Sequence, residues 1–244
     1  MNLRNYLHQN YNKLTWKEKI HIAFDIINSL VIIHNEKAIH RDLHSGNILF
    51  NQISQTFCIS DLGFCGPDDK PLNSVYGNLP YIAPEVIAGK ETTFASDVYS
   101  IGMLMWEISS GEPPFTGLNH DYDLAINIIN GMRPKAVLET PLEYRKLMEQ
   151  CWDADPTKRP GINTLEGEII IIRKLYYQNE EEQQQINITN ISDLQSNKSN
   201  TNFSINSSFT NSLVRHFDSK IYNFKDLPEP RNATEGKILF MDYI

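Results

Sequence analysis

The stretch "SDVYSIGMLMWEISSG" (residues 96–111) is apolar on nearly every side of a helix. A helix without a polar face cannot lie on a surface, so the rest of the chain must be arranged around it. The pattern predicts a central buried helix that stops at Gly111, because glycine readily takes the left-handed backbone that closes a helix. The other helical patterns are one-sided. In "TWKEKIHIAFDIINSLVIIH", Thr15 is followed three positions later by Glu18, a capping box, and Trp16, Ile20, Ala23, Ile27 and Leu30 form one stripe. "ETPLEYRKLMEQCW" predicts a helix with Thr140 as N-cap, Pro141 at the first helical position and Glu143 completing a second box. "NTLEGEIIIIRKLYY" (163–177) predicts a last helix. "NILF" (47–50) and "FCIS" (57–60) read as two short strands joined by a polar turn. The expected fold class is mainly α, a helical bundle with one small β-hairpin.

Composition divides the chain at Gln178. Residues 1–177 carry all three tryptophans and the clear apolar periodicity. Residues 178–212 are rich in Asn, Gln and Ser. Such a segment buries too little apolar surface to offset its ordering entropy, so disorder is expected there. Residues 213–244 regain some hydrophobicity and read as a short C-terminal segment, either docking or further tail. The net charge of −8 gives no basic footprint for nucleic acid. No apolar run approaches the ~20 residues that span a bilayer. The first residues, "MNLRNYLHQNYNKL", have no apolar signal core. The expectation is a cytoplasmic protein with no membrane or nucleic-acid partner. Cys58, Cys65 and Cys151 are too few and too scattered for a disulfide framework.

The chemistry concentrates in "AIHRDLHSGNILF" (38–50) and in Asp61-Leu62-Gly63 beyond the hairpin. Asp61, at a strand end beside Gly63, suits a divalent cation through its oxygens, and Asn47 can add a second oxygen. Asp42 is then free to accept a hydroxyl proton. That division of roles belongs to phosphoryl transfer. His40 and His44 stand four apart, but Arg41 occupies the place of the zinc-protease glutamate, and Gly46 argues for a loop. A packed core histidine is the better reading of His40.

These motifs, taken in order, resemble the C-terminal (large) lobe of a eukaryotic protein kinase over residues 1–177. "HRDLHSGN" resembles the catalytic loop and Asp61-Leu62-Gly63 the metal-binding motif, with Leu62 where Phe is commoner. "GNLPYIAPE" resembles the end of an activation segment. "SDVYSIG" resembles the central helix, and "CWDADPTKRP" the final subdomain. The resemblance implies Asp42 as base, and Asn47 and Asp61 as Mg²⁺ ligands at an ATP site with Leu49 beneath the adenine. It implies Asp97 bracing the loop, Arg41 gripping a phosphate, a structural Glu85–Arg159 pair, and Ser74 and Tyr76 as candidate phospho-acceptors. "CWDADPTKRP", "GEPPF" and "LMEQCW" point to the tyrosine-kinase-like group.

The acceptor implied is serine or threonine rather than tyrosine. His44 stands where those kinases usually place a lysine, and Asn78 where they place a threonine. A free imidazole titrates near ~6.5, so His44 is expected to contact the γ-phosphate more weakly than a lysine does. There is no glycine among residues 1–45, hence no Gly-rich phosphate loop ahead of Asp42, and no V-A-x-K-like strand. The chain thus reads as a large lobe without its nucleotide-clamping small lobe. Three readings follow: a piece of an active kinase, inactive alone; a non-catalytic binding or scaffold module; or a lobe completed by another chain. The apolar surface a small lobe covers would favour association with a partner.

Overall fold

The computed structural model describes residues 1–67, 75–191, 219–224 and 227–233, with side chains described except at 178–191. Among the described residues, seven α-helices run in the order α1 (Leu3–Asn10), α2 (Trp16–Asn35), α3 (Pro84–Ile87), α4 (Phe94–Ser110), α5 (Tyr122–Ile129), α6 (Leu142–Cys151) and α7 (Ile162–Ile191). Six short strands among the same residues form three antiparallel pairs. β2 (Ile48–Asn51) pairs with β3 (Thr56–Ile59), β1 (Ala38–Ile39) with β4 (Gly66–Pro67), and β5 (Val75–Gly77) with β6 (Lys220–Tyr222).

α4 is the axis: every residue from Ser96 to Ser109 is buried. Its end is a left-handed Gly111 at φ 80°, whose N–H bonds the Glu107 carbonyl. α6 crosses α4 closely at Gly102, where a Cβ would stand 2.9 Å from the Cys151 Cβ. Tyr144 on α6 donates its hydroxyl to the Met105 carbonyl at 3.0 Å. α2 opens on the Thr15–Glu18 capping box and buries Ile20, Ala23, Ile27 and Leu30, while Trp16 at the helix start is only half-buried. It also supports the hairpin: the Phe57 N–H donates to the buried Asp25 carboxylate at 3.0 Å. Tyr6, Phe50 and Phe57 pack ring to ring at 4.9–5.0 Å and join α1 to the same hairpin. Among the described residues, no helix is long and apolar enough to cross a membrane, and the three cysteines are free thiols.

Two boundaries differ from expectation. α6 begins at Leu142 with Pro141 as N-cap, not Thr140, whose hydroxyl is buried without a hydrogen bond. The proline ring holds the extended conformation that a cap needs, and the Pro141 carbonyl takes the first helical bond, from Arg145. α7 does not stop at residue 177 but runs to Ile191, so 178–191 is helical rather than disordered. Gln and Glu are good helix formers, so "QNEEEQQQ" prolongs a helix already nucleated by the packed Leu165, Ile169 and Ile172. Residues 192–212 lie outside the described residues. In the C-terminal segment, read as either docking or further tail, 219–224 and 227–233 lie against the lobe.

The end of the activation segment is tied to the C-terminal helices by one ion pair. Arg159 Nη1 and Nη2 bond Glu85 Oε1 and Oε2 at 2.6 and 2.7 Å, and Nη1 also bonds the Ala95 carbonyl. The Arg159 side chain is wholly enclosed. Arg159→Ala would leave Glu85 buried and uncompensated. The expected cost is about 3–5 kcal/mol of stability, read as a lower urea midpoint at unchanged slope.

Candidate active site

The catalytic-loop backbone is fixed by a carboxylate from α4. Asp97 Oδ2 accepts the His40 N–H at 2.8 Å, Oδ1 accepts the Arg41 N–H at 3.0 Å, and His34 Nε2 lies 3.0 Å from Oδ2. Asp97 lies in the first turn of α4, where the helix dipole favours negative charge. Arg41 is left-handed at φ 73°, a conformation that turns the chain so that Asp42 faces the cleft. His40 is completely buried. Its Nδ1 accepts the Asp42 N–H at 3.3 Å and its Nε2 meets the Ser60 carbonyl at 3.0 Å, so it spans from the loop to the hairpin's end. Among the described residues no group of three or more His, Cys, Asp or Glu is arranged to hold a metal.

Asn47 and Asp61 flank the hairpin. Asn47 Nδ2 donates to the Asp42 carbonyl at 3.0 Å, and the Ser60 N–H and hydroxyl both bond the Asn47 carbonyl at 2.8 Å. Asp61 is exposed and left-handed at φ 59°, and among the described residues its carboxylate accepts a hydrogen bond from the Gly63 N–H. An amide oxygen and an open carboxylate suit Mg²⁺, which takes few protein ligands and fills its remaining positions with water and phosphate oxygens. Leu49 and Leu62 are exposed at 40% and 57%, unusual for leucine next to a charged site. Arg41 turns its guanidinium onto the Phe64 carbonyl (3.1 Å) and Thr92 hydroxyl (3.1 Å), at the start and far side of the activation segment.

The activation segment closes over the loop. Gly77, at φ 136°, brings its backbone so near Asp42 that a Cβ would lie 3.3 Å from Oδ1. Tyr81 is fully buried and donates its hydroxyl to Glu107 Oε2 at 2.6 Å, while Ser45 connects Tyr81 to Arg4. Burial pushes both the Tyr81 phenol and the Glu107 carboxyl above their ordinary ranges. Sequence reasoning did not single out Glu107, Ser45 or Arg4. A glutamate inside an otherwise apolar helix was the available signal. Tyr76 stacks on Phe64 at 4.0 Å, and burial, then the Asp42 and Asp61 charges, raises its phenol. Ser74 lies outside the described residues.

A serine hydroxyl sits on Asp42. Ser219 Oγ donates to Asp42 Oδ1 at 2.8 Å and lies 3.1 Å from His44 Nε2. His44 Nδ1 accepts the Gly46 N–H at 3.1 Å, which places the ring proton on Nε2 and makes His44 the donor to Ser219. The order is therefore His44 N–H to Ser219, and Ser219 O–H to Asp42. No sequence pattern predicts this contact between residues 177 positions apart.

Below this strand His120 is buried, and its carbonyl accepts from Lys220 at 3.2 Å. Burial, then the charges of Lys220 and Arg4, lowers the His120 imidazole from 6.5 to about 4. The unfolded chain therefore takes up a proton on acidification that the folded one refuses. His120 thus contributes stability fully above pH 6.5, and that contribution is lost as pH falls toward 4. Relative to His120→Gln, the native chain is expected to lose roughly 1–3 kcal/mol over that interval in urea titrations.

Comparison with known proteins agrees with this geometry. Residues 1–169 match the family model "Protein tyrosine and serine/threonine kinase". The chain is 36% identical over 155 residues to the "Putative serine/threonine-protein kinase/receptor R818" of Acanthamoeba polyphaga mimivirus, covering 62% of this chain and 9% of that protein. It is 31% identical over 183 residues to the "Probable serine/threonine-protein kinase pats1" of Dictyostelium discoideum, covering 72% and 6%. It is 34% identical over 151 residues to the human "Dual serine/threonine and tyrosine protein kinase", covering 60% and 16%. The matched part is thus a small fraction of each relative. With the family model spanning more than two thirds of its residues, this chain belongs to the protein tyrosine and serine/threonine kinase family.

Proposed function

We propose that these residues form the acceptor-side and metal-side half of a protein kinase that transfers the γ-phosphoryl group of ATP to a serine or threonine hydroxyl. The observation that carries this reading is the aliphatic hydroxyl seated 2.8 Å from the Asp42 carboxylate, with Asn47 held just behind it. Asp42 orients the acceptor and receives its proton. Asn47 and Asp61 would hold Mg²⁺, and Leu49 would floor the adenine. Bound Mg²⁺ neutralises charge on the transferred phosphoryl group. Arg41 lies at the activation segment as a phosphate grip. The short serine side chain that reaches Asp42 supports serine or threonine over tyrosine. The tyrosine-kinase-like grouping rests on "GEPPF" and "CWDADPTKRP".

The 244 residues contain no Gly-rich loop ahead of Asp42. Transfer therefore depends on a nucleotide-clamping lobe, in the same or another polypeptide. A second reading, a non-catalytic binding module, is favoured by one observation: the acceptor cleft already holds part of this chain.

Labelled γ-phosphate transfer separates the two. Paired with a nucleotide-clamping lobe from a related kinase, the chain is expected to show Mg²⁺-dependent transfer to seryl or threonyl acceptors, reduced at least ~100-fold by Asp42→Asn. The 244 residues alone are expected to show none. Turnover that survives Asp42→Asn would remove Asp42 as base, and no turnover in the paired form would leave the binding module.

A further inference from the structure

The contact at Asp42 is the end of a longer docking arrangement. β6 runs antiparallel to β5, with Lys220 opposite Gly77, Ile221 opposite Tyr76 and Tyr222 opposite Val75. Ser219 precedes β6 at the end nearest the catalytic loop and delivers its hydroxyl to Asp42 and His44. Lys220 Nζ donates to the His120 carbonyl at 3.2 Å. Tyr222 is 7% exposed and packs against the hydrophobic core. Phe224 stacks on Tyr222 at 5.2 Å and meets Tyr122 at 6.0 Å. Lys220 and Ile221 are exposed, Ile221 at 62%, while Tyr222 is buried. This is how an extended peptide binds a sheet edge: backbone pairing supplies affinity, and some side chains enter the surface.

A second anchor follows. The Arg231 N–H donates to the Ile129 carbonyl at 3.0 Å. Asn232 accepts from the Ala154 N–H and donates to Asp153, both at 2.9 Å. The Asn232 amide is thus matched on both its donor and acceptor sides. With residues 227–233 held on the α5–α6 side of the lobe, β6 stays near its cleft even when it lifts off. That tether gives it an effective concentration on the order of millimolar against any separate peptide.

We propose that residues 219–224 of this chain are a resident, displaceable occupant of the cleft between β5 and the catalytic loop, holding the Ser219 hydroxyl on Asp42 and competing with any other extended peptide there. Naming it an acceptor cleft rests on the phosphotransferase reading above; its occupancy by this strand does not. The occupant excludes other protein acceptors while it is seated. It also makes Ser219 a modification site with a defined effect. A phosphate there would add nearly two negative charges against the Asp42 carboxylate, and the strand would leave.

The test uses the whole chain without nucleotide. A fluorescein-labelled peptide of residues 217–226, FDSKIYNFKD, is titrated by anisotropy into the native chain and two variants. Ser219→Glu sets a charge against Asp42. Ile221→Pro breaks the strand at an exposed side chain and leaves the lobe's core untouched. The peptide is expected to bind both variants at least tenfold more tightly than the native chain. Amide exchange at Val75–Gly77 is expected to quicken at least tenfold in both. Equal peptide affinity for all three proteins, binding to none, or unchanged exchange at β5 would overturn the proposal. Because no phosphate is transferred, such a failure leaves the kinase reading standing. A chain that transfers no phosphate leaves the occupancy result standing in turn.

Discussion

The buried carboxylate of Asp97 is the constraint on which the site depends. An enclosed carboxylate is costly unless its oxygens are filled, and here they take two loop N–H groups and an imidazole nitrogen. The arrangement works in both directions. The His40 and Arg41 N–H groups take the Asp97 oxygens as their acceptors, and Asp97 is buried. Each satisfies the other, so the loop is fixed to the most buried helix of the molecule rather than to a mobile surface. The left-handed Arg41 conformation is held because its own N–H and that of His40 are both bonded to Asp97.

From that anchor the site is built outward by short, enclosed contacts. His40 carries the position of α4 across to the hairpin through the Ser60 carbonyl. Asn47 is fixed from both sides, by Asp42 and by Ser60. Tyr81 and Glu107 tie the activation segment to α4, and Ser45 brings the catalytic loop and α1 into the same network. Buried polar groups connected in this way favour a single arrangement, because a shift of any one strands the others without partners. Asp61, Leu49 and Leu62 are the exposed exceptions beside this network.

The helices were legible in the sequence because their determinants are local. The Thr15–Glu18 capping box, the Gly111 terminus and the apolar stripe of α2 all depend on residues within a turn or two of one another. The N-cap of α6 was misread, since Thr140 and Pro141 are both acceptable caps and packing decided between them. The end of α7 was misread because solubility-type composition was taken for disorder, whereas Glu and Gln also propagate helices. Strands β1, β4, β5 and β6 were missed. Each is two or three residues long, too short for an alternation pattern, and pairs with a distant segment.

The sequence by itself determined the residue types that can perform phosphoryl transfer, their order, and the buried helix around which they are arranged. These are set by identity and local spacing, which a linear pattern carries. Only the tertiary structure decided that Glu107 reaches Tyr81, that His44 carries its proton on Nε2, and that Ser219 occupies Asp42. Those facts come from the closure of the chain on itself. A strand of three residues contributes almost no local signal, and it finds its place only because β5, Asp42 and the surface around His120 are already assembled to receive it.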